Sequence, residues 1–249
     1  MNTTENLNQM QELKMSGMAR QYESILTQPV HQHPEGHELI ATLLEAERLY
    51  RKNQRTEMFL RFSRLRYQAG IEQITCSAGR NLSKQTLASL SDGSFIDRGE
   101  NLLITGATGC GKSYLACALG HQACLSGYKT LYLNMNRFIE RIALAKTDGT
   151  FIKLIDYLEK VKLIIFDDFG LQPLDHNTKL ALLQILEDRY ERKSIIIVSQ
   201  LPIAKWYEYI NEPTVADAIM DRVSANAHRI ELKGESLRKK SVTKNQNNK

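Results

Sequence analysis

The octapeptide GATGCGKS, residues 106–113, restricts the possible folds more than any other stretch of this chain. It fits the spacing G-x-x-x-x-G-K-[ST]. An apolar run, NLLIT (101–105), precedes it, and a helix-forming run, KSYLACALGHQA, overlaps its end. A strand entering a glycine-rich loop that opens a helix is the context this motif needs. Gly106, Gly109 and Gly111 let the backbone turn so that its N–H groups face inward as an anion-binding nest. The helix start adds partial positive charge. Lys112 then reaches the outer phosphates of a nucleotide, and the Ser113 hydroxyl can ligate Mg²⁺. Ala107, Thr108, Cys110 and Tyr114 complete the expected nucleotide-binding stretch, Cys110 without need of its thiol. The bland alternative, a glycine-rich turn with a chance Lys-Ser, leaves the flanking strand and helix unexplained.

A second stretch carries complementary chemistry. In LIIFDDFG (163–170) an apolar run of the kind found in buried parallel strands ends in Asp167 and Asp168. Adjacent carboxylates repel unless a cation neutralises them. Beside a phosphate loop that cation is Mg²⁺, with Asp167 placed to hold it directly or through water. Asp168 is then expected to orient and polarise the water that attacks the γ-phosphate. Otherwise Asp168 is a solvated residue or a cap for the next turn.

The surrounding chain alternates apolar runs with amphipathic segments. Strands are expected at 101–105, 130–135, 162–166 and 194–199, and helices at 112–126, 136–146, 150–160 and 177–193. That alternation gives an α/β domain around a parallel sheet. Upstream, residues 1–30 suggest one or two short helices, and VHQHPEGH (30–37) a loop. From Glu38 to about Tyr67 no Gly or Pro occurs, and the apolar spacing fits one long helix or two abutting ones. Residues 68–100 look like a connector. The expected domains are a helical one over 1–68, an ATPase over 69–240, and a polar, disordered tail over 241–249.

Composition excludes little. A net charge of +5 permits an anionic partner without requiring one. Four cysteines without a C-x-x-C pair, and a polar N-terminus with no apolar h-region, fit a reducing cytosol and no signal peptide. His31, His33 and His37 have no companion cluster and sit in a loose loop, so metal binding there is not expected. Trp206 is expected to pack between helices. Seven basic residues fall between 48 and 66: Arg48, Arg51, Lys52, Arg55, Arg61, Arg64 and Arg66. The first four share a helix face. From the residues alone, a solvated face and a DNA-contacting face remain equally open.

The phosphate loop, LIIFDDFG, LEDRYERKSIIIVSQLPIAKWYE (186–208) and HRIELKGESLRKK (228–240) together resemble the IstB-like ATPases. These are transposition helper proteins of bacterial insertion sequences. They belong to the AAA+ superfamily, near the bacterial initiator and the DnaC-type helicase loaders. LLEAERLYRKNQR (43–55) is similar to the basic helical stretch that precedes the core in that family. The resemblance implies an AAA+ P-loop NTPase with a parallel sheet flanked by helices, preceded by a small all-helical N-terminal domain. It implies ATP and Mg²⁺ as cofactors, and Gln200, beside Ser199, as the polar sensor of the γ-phosphate. It also implies Arg222 as an arginine finger and Arg238 as the sensor of the helical lid. It turns the reading of the basic run toward DNA contact. Its expected partners are double-stranded DNA, the transposase of the same element and further copies of the chain, in a bacterial cytoplasm. Asp168 is one methylene shorter than the Glu common in AAA+ proteins, so slow hydrolysis is expected. The rivals are a helicase loader, preferring single-stranded DNA and a replicative helicase, and a nucleotide-gated DNA-binding protein in which hydrolysis hardly matters.

Overall fold

The computed structural model describes residues 3–237, so Arg238 and the polar tail lie outside the described residues. The chain forms two compact units, Met1–Met58 and Phe59–Lys249.

The first unit contains α1 (Thr3–Glu12), α2 (Ser16–Leu26) and α3 (Gly36–Ser63) as far as Met58. Gly17 marks a close helix approach, because a Cβ there would sit 2.6 Å from the Ala46 carbonyl oxygen. The orphan donors at the start of α2 are met by a side chain of α3. Glu47 is buried and accepts from the Gly17 N–H at 2.7 Å and the Met18 N–H at 3.1 Å. Burial alone would raise the Glu47 pKa, but Arg51 and the two backbone donors outweigh it and hold the carboxyl below its ordinary range.

In the second unit, residues 68–100 are more than a connector. They form α4 (Lys84–Ser91) and α5 (Ser94–Asp97), because Leu82, Leu87, Leu90, Phe95 and Ile96 supply apolar area to bury. Then follow β1 (Leu102–Gly106), α6 (Lys112–Leu125), β2 (Thr130–Asn134), α7 (Met135–Thr147), α8 (Phe151–Glu159), β3 (Leu163–Phe169), α9 (His176–Arg189), β4 (Ser194–Ser199), α10 (Trp206–Ile210), α11 (Pro213–Ser224) and β5 (His228–Leu232). The strands make one parallel sheet in the order β2-β3-β4-β1-β5. β1, β4 and β3 are therefore neighbours, and the segments leaving their carboxyl ends meet at one end of the sheet, where open α/β sheets bind ligands.

Both sheet faces are covered, and strand residues alternate between two cores. Leu163, Ile165 and Ile196 join the core with α6, whereas Ile164, Phe166 and Ile197 join the core with α9 and α11. Cys117 and Cys124 are small core residues. Trp206 is buried, donates to the Leu201 carbonyl at 3.0 Å, and packs its ring 4.8 Å from that of Phe169.

One polar clasp holds the opposite end of the sheet. Arg189, 2% exposed, donates to the carbonyls of Leu158, Val161, Lys162 and Ser194. Burial pulls its pKa down to about 9, and among the described residues it has no carboxylate partner. Arg189→Met should leave those carbonyls unpaired and destabilise the fold by about 3–5 kcal/mol. The measurement is the urea midpoint, and a midpoint equal to wild type would show that the clasp is idle.

Candidate nucleotide site

Gly106 ends β1 with φ +143°, and a Cβ there would lie 2.2 Å from the Leu232 carbonyl oxygen of β5. Only glycine lets the loop pass this close to the neighbouring strand. Gly111, at φ +93°, is the N-cap of α6, so the helix starts immediately under the loop. The expected binding residues Gly106, Ala107, Thr108, Gly109, Cys110, Gly111, Lys112, Ser113 and Tyr114 thus form one continuous β1–α6 turn.

The loop is fixed from several sides. Lys112, 7% exposed, donates through Nζ to the carbonyls of Gly106 and Ala107, each at 2.8 Å. Arg80 donates to the Cys110 carbonyl at 2.8 Å, and the Leu237 N–H to the Gly109 carbonyl at 3.0 Å. Thr108 Oγ1 donates to Gln200 Oε1 at 2.7 Å, which ties the residue after β4 to the loop. Ser199 donates instead to the Phe169 carbonyl. Tyr114 donates to Gln73, and its ring lies 5.9 Å from that of Tyr67.

Asp167 is fully buried at the end of β3. It accepts from Ser113 Oγ at 3.0 Å, from the Tyr132 hydroxyl at 2.6 Å and from the Asp168 N–H at 2.9 Å. Burial, and secondarily Asp167, pushes the Tyr132 pKa well above its ordinary value, so Tyr132 remains a donor. In a regular strand Asp168 would point to the opposite face. The β3–β4 register, however, slips between Phe166 and Phe169, with Phe166 opposite Ile197 and Phe169 opposite Ser199. One residue is extra on β3, and Asp168 takes left-handed backbone at φ +62°. Such a bulge re-aims a side chain. Phe169 resumes on the α9 face, where strict alternation would have sent it to α6.

Asp168 accepts from Asn134 Nδ2 at 2.7 Å and faces Arg66 at 3.6 Å; Arg66 is also 4.0 Å from Asp167. Burial, then the Asp167 charge, raises the Asp168 pKa, against the opposing pull of Arg66, Asn134 and Lys112. A cavity of about 380 Å³ gathers these groups, lined by Thr108, Lys112, Ser113, Asp168, Gln200 and Arg66 among others.

The remaining expected residues fall elsewhere. Arg222, in the last turn of α11, is paired with Glu187 and lies 3.8 Å from Asp221; it does not line this cavity. The seven basic residues are divided between the two units, Arg48, Arg51, Lys52 and Arg55 in the first and Arg61, Arg64 and Arg66 in the second. Arg48 pairs with Glu45 at 2.8 Å and Arg51 with Glu47 at 2.7 Å, and Lys52 and Arg55 follow on α3. Arg61 is in the last turn of α3. The helix stops at Ser63, and left-handed backbone at Arg64 turns the chain so that Arg66 meets the two aspartates. Arg66 thus stands at the nucleotide site. Sequence reasoning also passed over Tyr132 and Asn134. The signal available was their i, i+2 spacing on a strand whose end pairs with LIIFDD, with Asn134 opposite Asp167.

A family model described as IstB-like ATP binding protein matches residues 8–245. The chain is 42% identical over 233 residues to an insertion sequence ATP-binding protein of Sinorhizobium fredii, covering 94% of this chain and 95% of that protein. It is 28% identical to the insertion sequence IS21 ATP-binding protein of Pseudomonas aeruginosa, covering 93% and 88%. In fold it is similar to DnaI, with TM-score 0.56 and 19% identity over 67% of this chain and 92% of that one. AMPPCP-bound DnaA from Aquifex aeolicus gives TM-score 0.59 and 19% identity over 75% and 57%. The parallel sheet with its phosphate loop thus shares the fold of these proteins, and the chain belongs to the IstB-like ATP binding protein family.

Proposed function

We propose that this chain is the ATP-dependent helper of an insertion sequence. It assembles as a homo-oligomer on double-stranded DNA when ATP is bound, recruits and stimulates the transposase of its element, and leaves DNA on hydrolysis. The observation that carries the hydrolytic part is the bulge that turns Asp168 beside Asp167 below the phosphate loop. The likeness to insertion sequence ATP-binding proteins along nearly the whole chain supports the biological setting.

The donor set fits Mg²⁺. Ser113 Oγ and Asp167 Oδ1 are hard oxygen ligands 3.0 Å apart. These two residues would hold the ion, which would supply positive charge against the phosphates of the nucleotide. Lys112 adds a second positive charge at the loop. Asp168, fixed by Asn134, orients the attacking water and takes up its proton. Gln200, tied to Thr108, senses the γ-phosphate side.

A helicase loader is the second reading, favoured by a likeness to the DnaC helicase loader, with TM-score 0.53 and 17% identity over 67% of this chain and 98% of that one. The test is anisotropy of two unrelated duplexes and of single-stranded DNA with ATP, alongside a pull-down offering transposase and replicative helicase together. Wild type should prefer duplex and retain the transposase. Replacing Arg48, Lys52 and Arg55 with Ala should weaken both duplexes equally and reduce the salt slope by about one per lost phosphate contact. Arg51 is spared because it holds Glu47. An unchanged slope returns α3 to a solvated face; preference for single strands and for the helicase makes the chain a loader.

A further inference from the structure

A second cavity, about 500 Å³, adjoins the nucleotide cavity. Arg64, Arg66, Arg137, Arg141, Asn134 and Asp168 are among its lining residues. Arg66 and Asp168 line both cavities, so their 3.6 Å ion pair is the shared wall.

The charges in this second space are out of balance. It holds four arginines against one carboxylate. Arg66 is paired with the aspartates, but among the described residues Arg64, Arg137 and Arg141 form no ion pair. Arg137 and Arg141 stand one turn apart on α7, a like-charge spacing that disfavours the helix unless an anion lies between them. Arg141 is held in place over the Tyr157 ring at 5.0 Å. Arg64 occupies left-handed backbone at φ +51°, which is unfavourable for a residue with a Cβ. α7 begins at Met135, next to the lining residue Asn134, so its positive end adds to the field. Guanidinium groups from two separate segments around one space suit a tetrahedral oxyanion, which accepts several charge-assisted hydrogen bonds. A DNA duplex is far wider than this cavity; a single phosphate is not.

We propose that this cavity receives inorganic phosphate, the product of hydrolysis, and that the Arg66–Asp168 pair is the door between the two spaces. The inference rests on the hydrolytic reading above. The phosphate is produced where Asp168 orients the water, beside the negative β-phosphate of ADP and two aspartates. Through the door the unpaired arginines attract it, so phosphate can leave while ADP stays on the loop. Arg66 acts here as a positioning residue, releasing Asp168 as it turns to the departing anion.

The test is calorimetric titration of inorganic phosphate into the full-length protein saturated with ADP and Mg²⁺, which needs no turnover. One phosphate site per chain is expected. Arg137→Gln with Arg141→Gln should weaken it about tenfold or more. Arg64→Gln, from a different segment, should weaken it independently. ADP affinity serves as the check on folding, since none of these side chains lines the nucleotide cavity. In turnover, a fluorescent phosphate reporter should show release slowing in the double variant. Equal phosphate affinity in wild type and both variants overturns the proposal, as does absence of phosphate binding to wild type. If the double variant keeps phosphate affinity but loses duplex affinity, the arginines serve a DNA backbone and the proposal falls. A chain that binds phosphate here yet hydrolyses no ATP removes the product role together with the hydrolytic reading, and the two failures are told apart by the calorimetry.

Discussion

Lys112→Ala protein should fold normally and fail to retain ATP. The Lys112 ammonium sits in the centre of the phosphate loop, 2.8 Å from two of its carbonyls, with almost no exposure. On the phosphate-loop reading this charge turns to the outer phosphates when nucleotide binds, in surroundings that screen poorly. Losing two charge-assisted hydrogen bonds to phosphate should weaken nucleotide at least about a hundredfold. Titration with a fluorescent ATP analogue, beside circular dichroism, measures both halves of the expectation. If assembly on duplex needs ATP, the variant should also lose cooperative DNA binding. Undiminished nucleotide affinity would remove the phosphate-loop assignment altogether.

Arg222→Ala should do the opposite: bind ATP and fail to hydrolyse it. Within the chain Arg222 is engaged by Glu187 and Asp221 and contributes nothing to its own nucleotide cavity. Its position in the last turn of α11 allows it to be offered to a neighbouring copy. If it stabilises the γ-phosphoryl charge of that neighbour, its loss should lower the hydrolysis rate by about 10³. The competing role is local. If the arginine only ties α11 to α9, the largely exposed ion pair contributes little, and hydrolysis should survive. Mixing Arg222→Ala with Lys112→Ala protein separates the two roles, because an intact phosphate loop from one can face an intact arginine from the other. Recovered ATPase activity supports action between copies. No recovery, in mixtures shown to co-assemble on DNA, assigns Arg222 to the local pair.

The parts of the fold set by strong local physics were legible in the sequence. The strand–loop–helix around GATGCGKS, the β2, β3 and β4 runs and the long helix before them emerged close to their expected bounds. The RIEL alternation of β5 is what a half-buried strand shows, but it runs over too few residues to stand alone, and its place comes from pairing with β1. α4 and α5 were hidden by four glycines spread over 68–100, and tertiary burial decides them. The site was half legible. The loop and Asp167 follow from spacing. The bulge at Asp168 does not, because nothing in LIIFDDFG announces one extra residue against β4. Arg66 was hidden for a related reason: a basic run carries no mark where the helix ends, and only the turn at Arg64 separates it from the residues before.

The left-handed backbone at Asp168 has an evolutionary corollary. Asp tolerates that conformation better than most residues, but glycine holds it at no steric cost. A Gly at 168 would relax the strand, remove a carboxylate lying against Asp167, and still form the bulge. Selection for thermal robustness alone would therefore favour Gly here, so the carboxylate is explained by a task at the site and not by the fold. Chains of this family that have lost their element's mobility should show decay at this position early, ahead of the surrounding apolar strand residues.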